Sequence, residues 1–489
     1  MRALHDRGLP PVDSLYGRRK PVTVSRRQVL VGAAATAAAA TAGIALRQRQ
    51  LDAEPTPPPL QDAKQRMIWR NWSGTQIAYP SLRAGPTSEE EVLSVLTTGP
   101  VPVRAVGAGH SFTALVPTDG TLLSLDGLSG ITAHDAVAQQ ATVWAGTRLG
   151  ELGPALAALG QCMPNLPDIN KQSLGGAIAT GTHGSGDTSP ALHAQVLEMR
   201  IATPALGMLS CSRTQNSEIF DAARVGLGAF GVVTSYRLQN IRSLRLLKRM
   251  ALRPTDEVIE DWPTLRSEHR NAEFFALPFT GMSATVTHDV TELPTAPPGK
   301  PQDSDVLLDL KWLRDWTGFA GPLRRRLAQS AMANLKPEES IEEAWKLLSN
   351  ERDIRFNEME YHLPRETQMA ALREVLGIIE KHRPDVFFPI EVRSIAQDDA
   401  WLSPFHDRAS GSIAVHAYYK DDYRFLFDLV EPILRRNGGR PHWGKLHSLT
   451  ARELAPMYPR WREAMQVRKA LDPQGRLLNP FLRGLFDDV

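Results

Sequence analysis

The sequence predicts an α+β fold of two domains, preceded by an N-terminal segment that belongs to neither. Three observations predict it. Short apolar strands and helices mix from about Trp69 to Leu238 with no repeated βαβ unit. Longer alternating strands and amphipathic helices fill about Ile241 to Lys445. At 489 residues, 42% hydrophobic, the chain carries enough apolar side chain for two cores. The net charge of +2, with no basic-aromatic interleaving, excludes nucleic acid as a partner.

Residues 1–50 read as an export signal or anchor. Arg26-Arg27 precede an alanine-rich run from Val29 to Leu46, the pattern read by the twin-arginine export machinery. That route carries folded proteins, which suits a cofactor inserted before export. Arg47 and Arg49 follow the run directly and leave no clean cleavage site. An uncleaved membrane tether is therefore the alternative to a periplasmic or extracellular protein. Residues 51–64 are a linker, with four prolines between Asp52 and Leu60.

In the first domain, 65–240, Ser88 caps a helix opening on Glu89-Glu90-Glu91. Leu122–Leu125, Ala141–Ala145 and Val196–Ala202 read as strands, and Arg148–Leu159 as a helix closed by Gly160. In the second, 241–445, Ala276–Asp289 and Ile413–Tyr419 alternate as half-buried strands. Glu366–His382 and Asp421–Arg436 have helical spacing, and Pro294–Asp305 reads as a mobile loop. The tail, 446–489, is mostly helical with Pro480 as a stop, and is expected to pack back on the first domain. Cys162 and Cys211 are the only cysteines: they make no disulfide scaffold, their pairing stays open, and no spacing suggests a metal.

The stretch Val103-Arg104-Ala105-Val106-Gly107-Ala108-Gly109-His110-Ser111-Phe112 is a strand running into a turn with two glycines. Such a turn presents backbone N–H groups to an anion such as a pyrophosphate. A phosphate cradle needs no imidazole, so His110 is the unusual part and offers a covalent tether to a flavin. A Rossmann fingerprint is the rival, with Asp126 at the ribose distance, but Phe112 stands where the third glycine belongs. A plain surface turn is the bland reading.

A second glycine-rich stretch, Leu174 to Gly186, holds Gly176, Thr180, Gly181, Thr182 and His183; a third runs from Gly226 to Thr234. Each alone reads as a packed structural loop, but together they suggest a clamp on a dinucleotide. Far away, Glu391 and Arg393 share one face of a strand, as do His416 and Tyr418. Arg440 to Lys445 closes the region with His442 and Lys445. Charges in apolar strands are costly unless paired or functional, a surface ion pair being the bland alternative.

Four blocks in this order resemble the vanillyl-alcohol-oxidase-type FAD family, in its alditol oxidase and D-arabinono-1,4-lactone oxidase branch. They are V-R-A-V-G-A-G-H-S-F, G-G-A-I-A-T-G-T-H-G-S-G, E-V-R with W-L-S-P, and R-P-H-W-G-K. The tail from Leu471 to Phe481 is similar to the family's closing segment, so the resemblance spans about Trp69 to Phe486. It implies a PCMH-type FAD-binding fold covered by an α+β substrate cap, with FAD bonded through His110. Arg104, Ala105, Val106, Gly107, Ala108, Gly109, His110, Ser111 and Phe112 would cradle its pyrophosphate. Asp168, Ser173, Gly176, Thr180, Gly181, Thr182, His183 and His442 would line the rest, with Val232 or Val233 near the adenine. Glu391, Arg393 and Lys445 would hold the substrate, with Asp168, His416 and Tyr418 shaping its pocket.

The implied reaction moves a hydride from a polyol or sugar-lactone carbinol to flavin, with O2 as acceptor and H2O2 as product. Arg393 and Lys445 would stabilise the alkoxide, a lysine of lowered pKa would take the proton, and Glu391 would fix substrate hydroxyls. Pro167 stands where the family gates oxygen, which favours an oxidase over a dehydrogenase using another acceptor. Asp168 and Tyr418 depart from the polyol-oxidising pattern and point toward an aldonolactone or another hydroxylated substrate. The rival from another class is a flavin-free, exported carbohydrate-binding protein.

Overall fold

Short strands between turns build three larger sheets and two two-stranded ones in the computed structural model, which describes residues 53–298, 303–317, 321–332, 336–350 and 354–486. The chain divides at Thr56, and the unit Pro57–Val489 carries all five sheets. The twin-arginine pair and the alanine-rich run lie outside the described residues. Among the described residues no helix is long and apolar enough to cross a membrane.

A parallel three-stranded sheet has Thr121–Ser124 between Leu82–Ala84 and Val103–Val106. Beside it, five antiparallel strands run in the order Gly207–Ser212, Val196–Thr203, Val232–Gln239, Gln140–Trp144, Ile131–Asp135. The helix Glu89–Thr98 begins where Ser88 Oγ accepts the Glu91 N–H at 3.2 Å, and buries Val92 and Leu96. Asp126 is bonded to Arg148 at 2.6 Å. Cys162 and Cys211 are buried free thiols.

The cap is one antiparallel sheet of eight strands. Its order is Glu338–Glu343, Arg245–Pro254, Met282–Thr291, Asn271–Leu277, Ile390–Ile395, Ser410–Tyr418, Phe356–Pro364, Arg440–Pro441. The tail returns to the first lobe: Val103 N–H donates to Arg476 O at 2.8 Å, and Asn479 Nδ2 to Ala114 O at 2.8 Å and Pro117 O at 2.9 Å.

Several elements differ from the sequence reading. Ala276–Asp289 is the end of one strand, a turn with Gly281 at φ +73°, and most of the next strand. Alternation continued across the turn and hid it. Pro480 starts a helix, Pro480–Phe486, because its missing N–H is no loss in a first turn. Asp421–Arg436 is helical only from Leu426, first as a wide π turn and then as Glu431–Arg436. In Pro294–Asp305, Ala296 bonds to Ile341 across a bridge, and a helix has begun at Asp303. The strand Phe356–Pro364 was not anticipated at all.

Candidate active site

The turn after Val103–Val106 forms one wall of a cleft of about 1150 Å³. Gly109 takes φ +68°, open to glycine at no steric cost. The N–H groups of Ala108, Gly109, His110 and Ser111 donate to no protein acceptor among the described residues, whereas Phe112 N–H is held by Gly444 O at 2.8 Å. Four aligned donors on a cleft wall, with no partner of their own, are an anion site in need of an anion. The opposite wall is Ser173 with the helix Leu174–Ala179. The walls nearly touch at Gly107, where a β-carbon would stand 1.9 Å from Ser173 Oγ. Gly226, Gly228, Val232 and Val233 line the far end. The arrangement fits a dinucleotide with a pyrophosphate at its middle.

Arg104, placed by sequence in the cradle, lines the cleft and also ties its loops together. Its buried guanidinium donates to Leu115 O (2.7 Å), Leu227 O (2.7 Å), Gly228 O (2.9 Å) and Leu477 O (2.6 Å). It ties the third glycine loop and the tail to the first strand, and burial pushes its pKa down to about 9. His110 lines the cleft with its ring 5.2 Å from that of Trp72. Burial, then Lys445, Arg148 and Lys171, lower its pKa to about 4. The ring is therefore neutral near pH 7, and one nitrogen keeps its lone pair.

A second cavity, of about 910 Å³, lies between the cleft and the cap sheet. Gln172 lines both spaces, and its buried Oε1 has no hydrogen-bond partner among the described residues. The chamber's polar side comes from three neighbouring strands, which carry Glu358 and Glu360, Glu391 and Arg393, and His416. Phe275, Ile354, Phe356 and Phe388 line the rest.

Its charges are paired in an asymmetric way. Arg393 Nη2 donates to Glu360 Oε1 at 2.6 Å and lies 3.5 Å from Glu391. Burial opposes the guanidinium, but Glu360, Glu391, Glu273 and Glu358 outweigh it and raise its pKa. Burial likewise opposes ionised Glu360; Arg393 and His183 overcome it and hold that carboxyl well below its usual range. Glu391 has the weaker share of the arginine. Burial, opposed by Arg393 but reinforced by Glu273, Asp168 and Glu360, pushes it up to about 8. Lys445 Nζ donates to Glu358, so it stands in the chamber as half of an ion pair. His416 Nδ1 lies 3.1 Å from Pro389 O. Its Nε2 lies 3.7 Å from Glu358 Oε1.

The anticipated residues thus divide between two spaces. Ala105 to Ser111, Ser173, Gly176, Thr180, Val232 and Val233 line the cleft. Thr182, His183 and His442, expected along the cofactor, line the chamber with Asp168, Glu391, Arg393, His416 and Lys445. Three residues line neither. Phe112 is buried and stacks on Phe356 at 5.8 Å. Gly181 makes the turn after Leu174–Ala179 at φ +75°. Tyr418 packs beside Phe387, at 5.7 Å, behind the chamber wall. Glu358, Glu360 and Gln172 were missed. The signal for the first two was E-M-E-Y-H-L, which alternates polar and apolar and reads as a strand facing solvent.

A glycine-walled dinucleotide cleft beside a charged chamber under a cap sheet defines an FAD-dependent oxidoreductase. The FAD-binding domain profile matches residues 80–212, and that of D-arabinono-1,4-lactone oxidases matches 236–485. The chain belongs to that family, within the PCMH-type FAD oxidoreductases. It is 35% identical to an L-gulono-1,4-lactone dehydrogenase of Mycobacterium tuberculosis, over 85% of this chain and 98% of the relative. It is 30% identical to L-gulonolactone oxidase of Bos taurus, over 86% and 98% of the two chains. Identity is also 30% to an alditol oxidase of Streptomyces sp., over 85% and 98%. A cholesterol oxidase of B. sterolicum shares the fold, with a TM-score of 0.70 at 16% identity, over 89% and 100%.

Proposed function

We propose that this chain oxidises a carbinol carbon of a sugar 1,4-lactone or a polyol, with covalently held FAD and O2 as acceptor. One observation carries the reading: a cleft lined with unpaired backbone donors shares a wall residue, Gln172, with a chamber holding both Arg393 and Lys445. Bound FAD supplies the two-electron acceptor, so that R2CHOH and O2 become R2C=O and H2O2. The chain's residues do the rest. Lys445 and Arg393 stabilise the oxygen as it loses its proton. His416, with Glu358 3.7 Å from its Nε2 to favour the imidazolium, takes that proton, and Glu391, protonated at neutral pH, donates to another substrate hydroxyl. Asp168, held by Asn350 Nδ2 at 2.9 Å, adds an acceptor for a polyhydroxylated ligand.

Similarity to lactone- and alditol-named relatives supports the substrate class, and the neutral His110 ring in the cradle supports the tether. Anaerobic mixing with a panel of aldonolactones and alditols tests the first: a productive substrate bleaches the flavin, and air returns the colour with equimolar peroxide. If none of the panel bleaches it, the substrate class is wrong. A dehydrogenase is the second reading, favoured by the name of the Mycobacterium tuberculosis relative. It is distinguished by a reduced flavin that dyes reoxidise much faster than air does. Arg26-Arg27 and the run behind them support export, and R26K/R27K should leave the protein in the cytoplasm.

A further inference from the structure

At the edge of the chamber the rings of His183 and His362 lie 4.9 Å apart, and that of His442 lies 5.8 Å from each. Glu360 and His362 share one face of the strand Phe356–Pro364, and His183 reaches them from the second glycine stretch. His183, Glu360 and His362 are 2% exposed or less, and a donor atom of each lies within 4.8 Å of the others. Part of this set is tied down and part is not. His183 Nδ1 lies 2.8 Å from Gly184 O, which makes that nitrogen the donor and leaves Nε2 facing Glu360 Oε1 at 3.1 Å. Glu360 Oε1 also accepts from Arg393 at 2.6 Å and from Ser412 Oγ, while its buried Oε2 has no hydrogen-bond partner among the described residues. Neither ring nitrogen of His362 has one either. Buried polar atoms normally find a partner, so their convergence here marks a place for one.

We propose that His183 Nε2, Glu360 Oε2 and His362 bind a divalent cation of the zinc class. Two imidazoles and a carboxylate are a set that such an ion takes, with a fourth position left to a small ligand. The outer contacts are those that orient metal ligands: a backbone carbonyl on the far nitrogen of His183, and Arg393 and Ser412 on the far oxygen of Glu360. Burial above all holds both rings below their usual pKa, so each keeps a lone pair at neutral pH. His442 is not a ligand, because its Nδ1 accepts the Gly444 N–H at 3.0 Å and its proton then sits on Nε2. The charge of Arg393 costs affinity, so a micromolar site is expected rather than a tight one. A second set, Glu358, Glu391 and His416, is poorer. Lys445 occupies Glu358, and Glu391, pushed up to about 8, is protonated at neutral pH. The site does not depend on which carbinol the chamber takes.

The test uses the full-length holoenzyme, freed of metal with EDTA and then dialysed against ZnCl2. Wild type should retain one zinc per chain, and X-ray absorption should show imidazole and carboxylate ligands with no sulfur. H362L removes one ligand and should weaken binding about a hundred-fold. It deletes a buried ring whose nitrogens have no partner, so without zinc it should be no less stable than wild type, and its flavin absorbance verifies folding. H442N keeps an acceptor for Gly444 and should retain the zinc. Added zinc should raise the thermal midpoint of wild type and H442N but not of H362L. Wild type that retains no zinc overturns the proposal, and a proton alone then stands between His183 and Glu360. Zinc held equally by wild type and H362L overturns it too; if H416L releases that zinc, the ion belongs to the second set. Loss of zinc from H442N also overturns it, because the ligands are then a different set.

Discussion

Glu391 is the residue whose charge the protein leaves undecided. Below about pH 8 it is protonated and can donate; above, it adds a fourth negative charge to a chamber that holds Asp168, Glu358 and Glu360. Substrate binding should therefore weaken as pH rises through about 8. Glu391→Gln keeps the neutral form, so KM should lose that alkaline limb; a limb that persists unchanged assigns it to another group. The same shift has a sign for stability. A carboxyl raised from 4.5 to about 8 on folding contributes stability present below the lower value and lost as pH rises through the upper. Glu358 governs where Lys445 stands. Glu358→Gln should lower kcat about a hundred-fold through misplacement of the ammonium, with flavin content unchanged. Steady-state kinetics at matched flavin absorbance reads it.

Among elements, the glycine turn and the helix Leu174–Ala179 are set by a contact that no local pattern describes. A methyl at Gly107 collides with Ser173 Oγ, so Gly107→Ala should destabilise the protein by about 1–3 kcal/mol and loosen FAD. Adding Ser173→Gly should recover most of that loss, and denaturant unfolding of the four proteins measures it. Arg104 joins three separate segments. Arg104→Met leaves four carbonyls without their donor and should cost about 3 kcal/mol or more. A midpoint shift in urea, with a rise in flavin-free protein, is the expected outcome. Strand Phe356–Pro364 shows why an element can escape a reading of the chain. Its alternation was legible, but Glu358, Glu360 and His362 made the polar side look like a solvent face. In the structure all three are 2% exposed or less.

At the scale of the whole molecule, FAD bound between the walls of the first lobe faces a chamber roofed by the cap, so binding should stabilise both together. With a covalent tether this contribution cannot depend on added FAD. His110→Ala should release its flavin into acid supernatant, and its stripped form should gain about 2.7 kcal/mol at FAD a hundred-fold above Kd. Thermal unfolding across an FAD titration reads both proteins. Wild type that yields its flavin to acid removes the tether.

The chain alone determined the α+β class, the glycine turn and the second glycine stretch on one cleft, and the strand pair Glu391–Arg393. Each is local: a few adjacent residues whose backbone freedom or strand period already states its geometry. Tertiary structure decided which charges meet. Glu360 takes Arg393, Glu358 takes Lys445, Arg104 becomes a tie between loops, and Tyr418 falls behind the wall. Those outcomes depend on strand order and burial between segments up to some hundreds of residues apart. Coulomb and desolvation energies there are set by distance in space, on which sequence separation has no bearing.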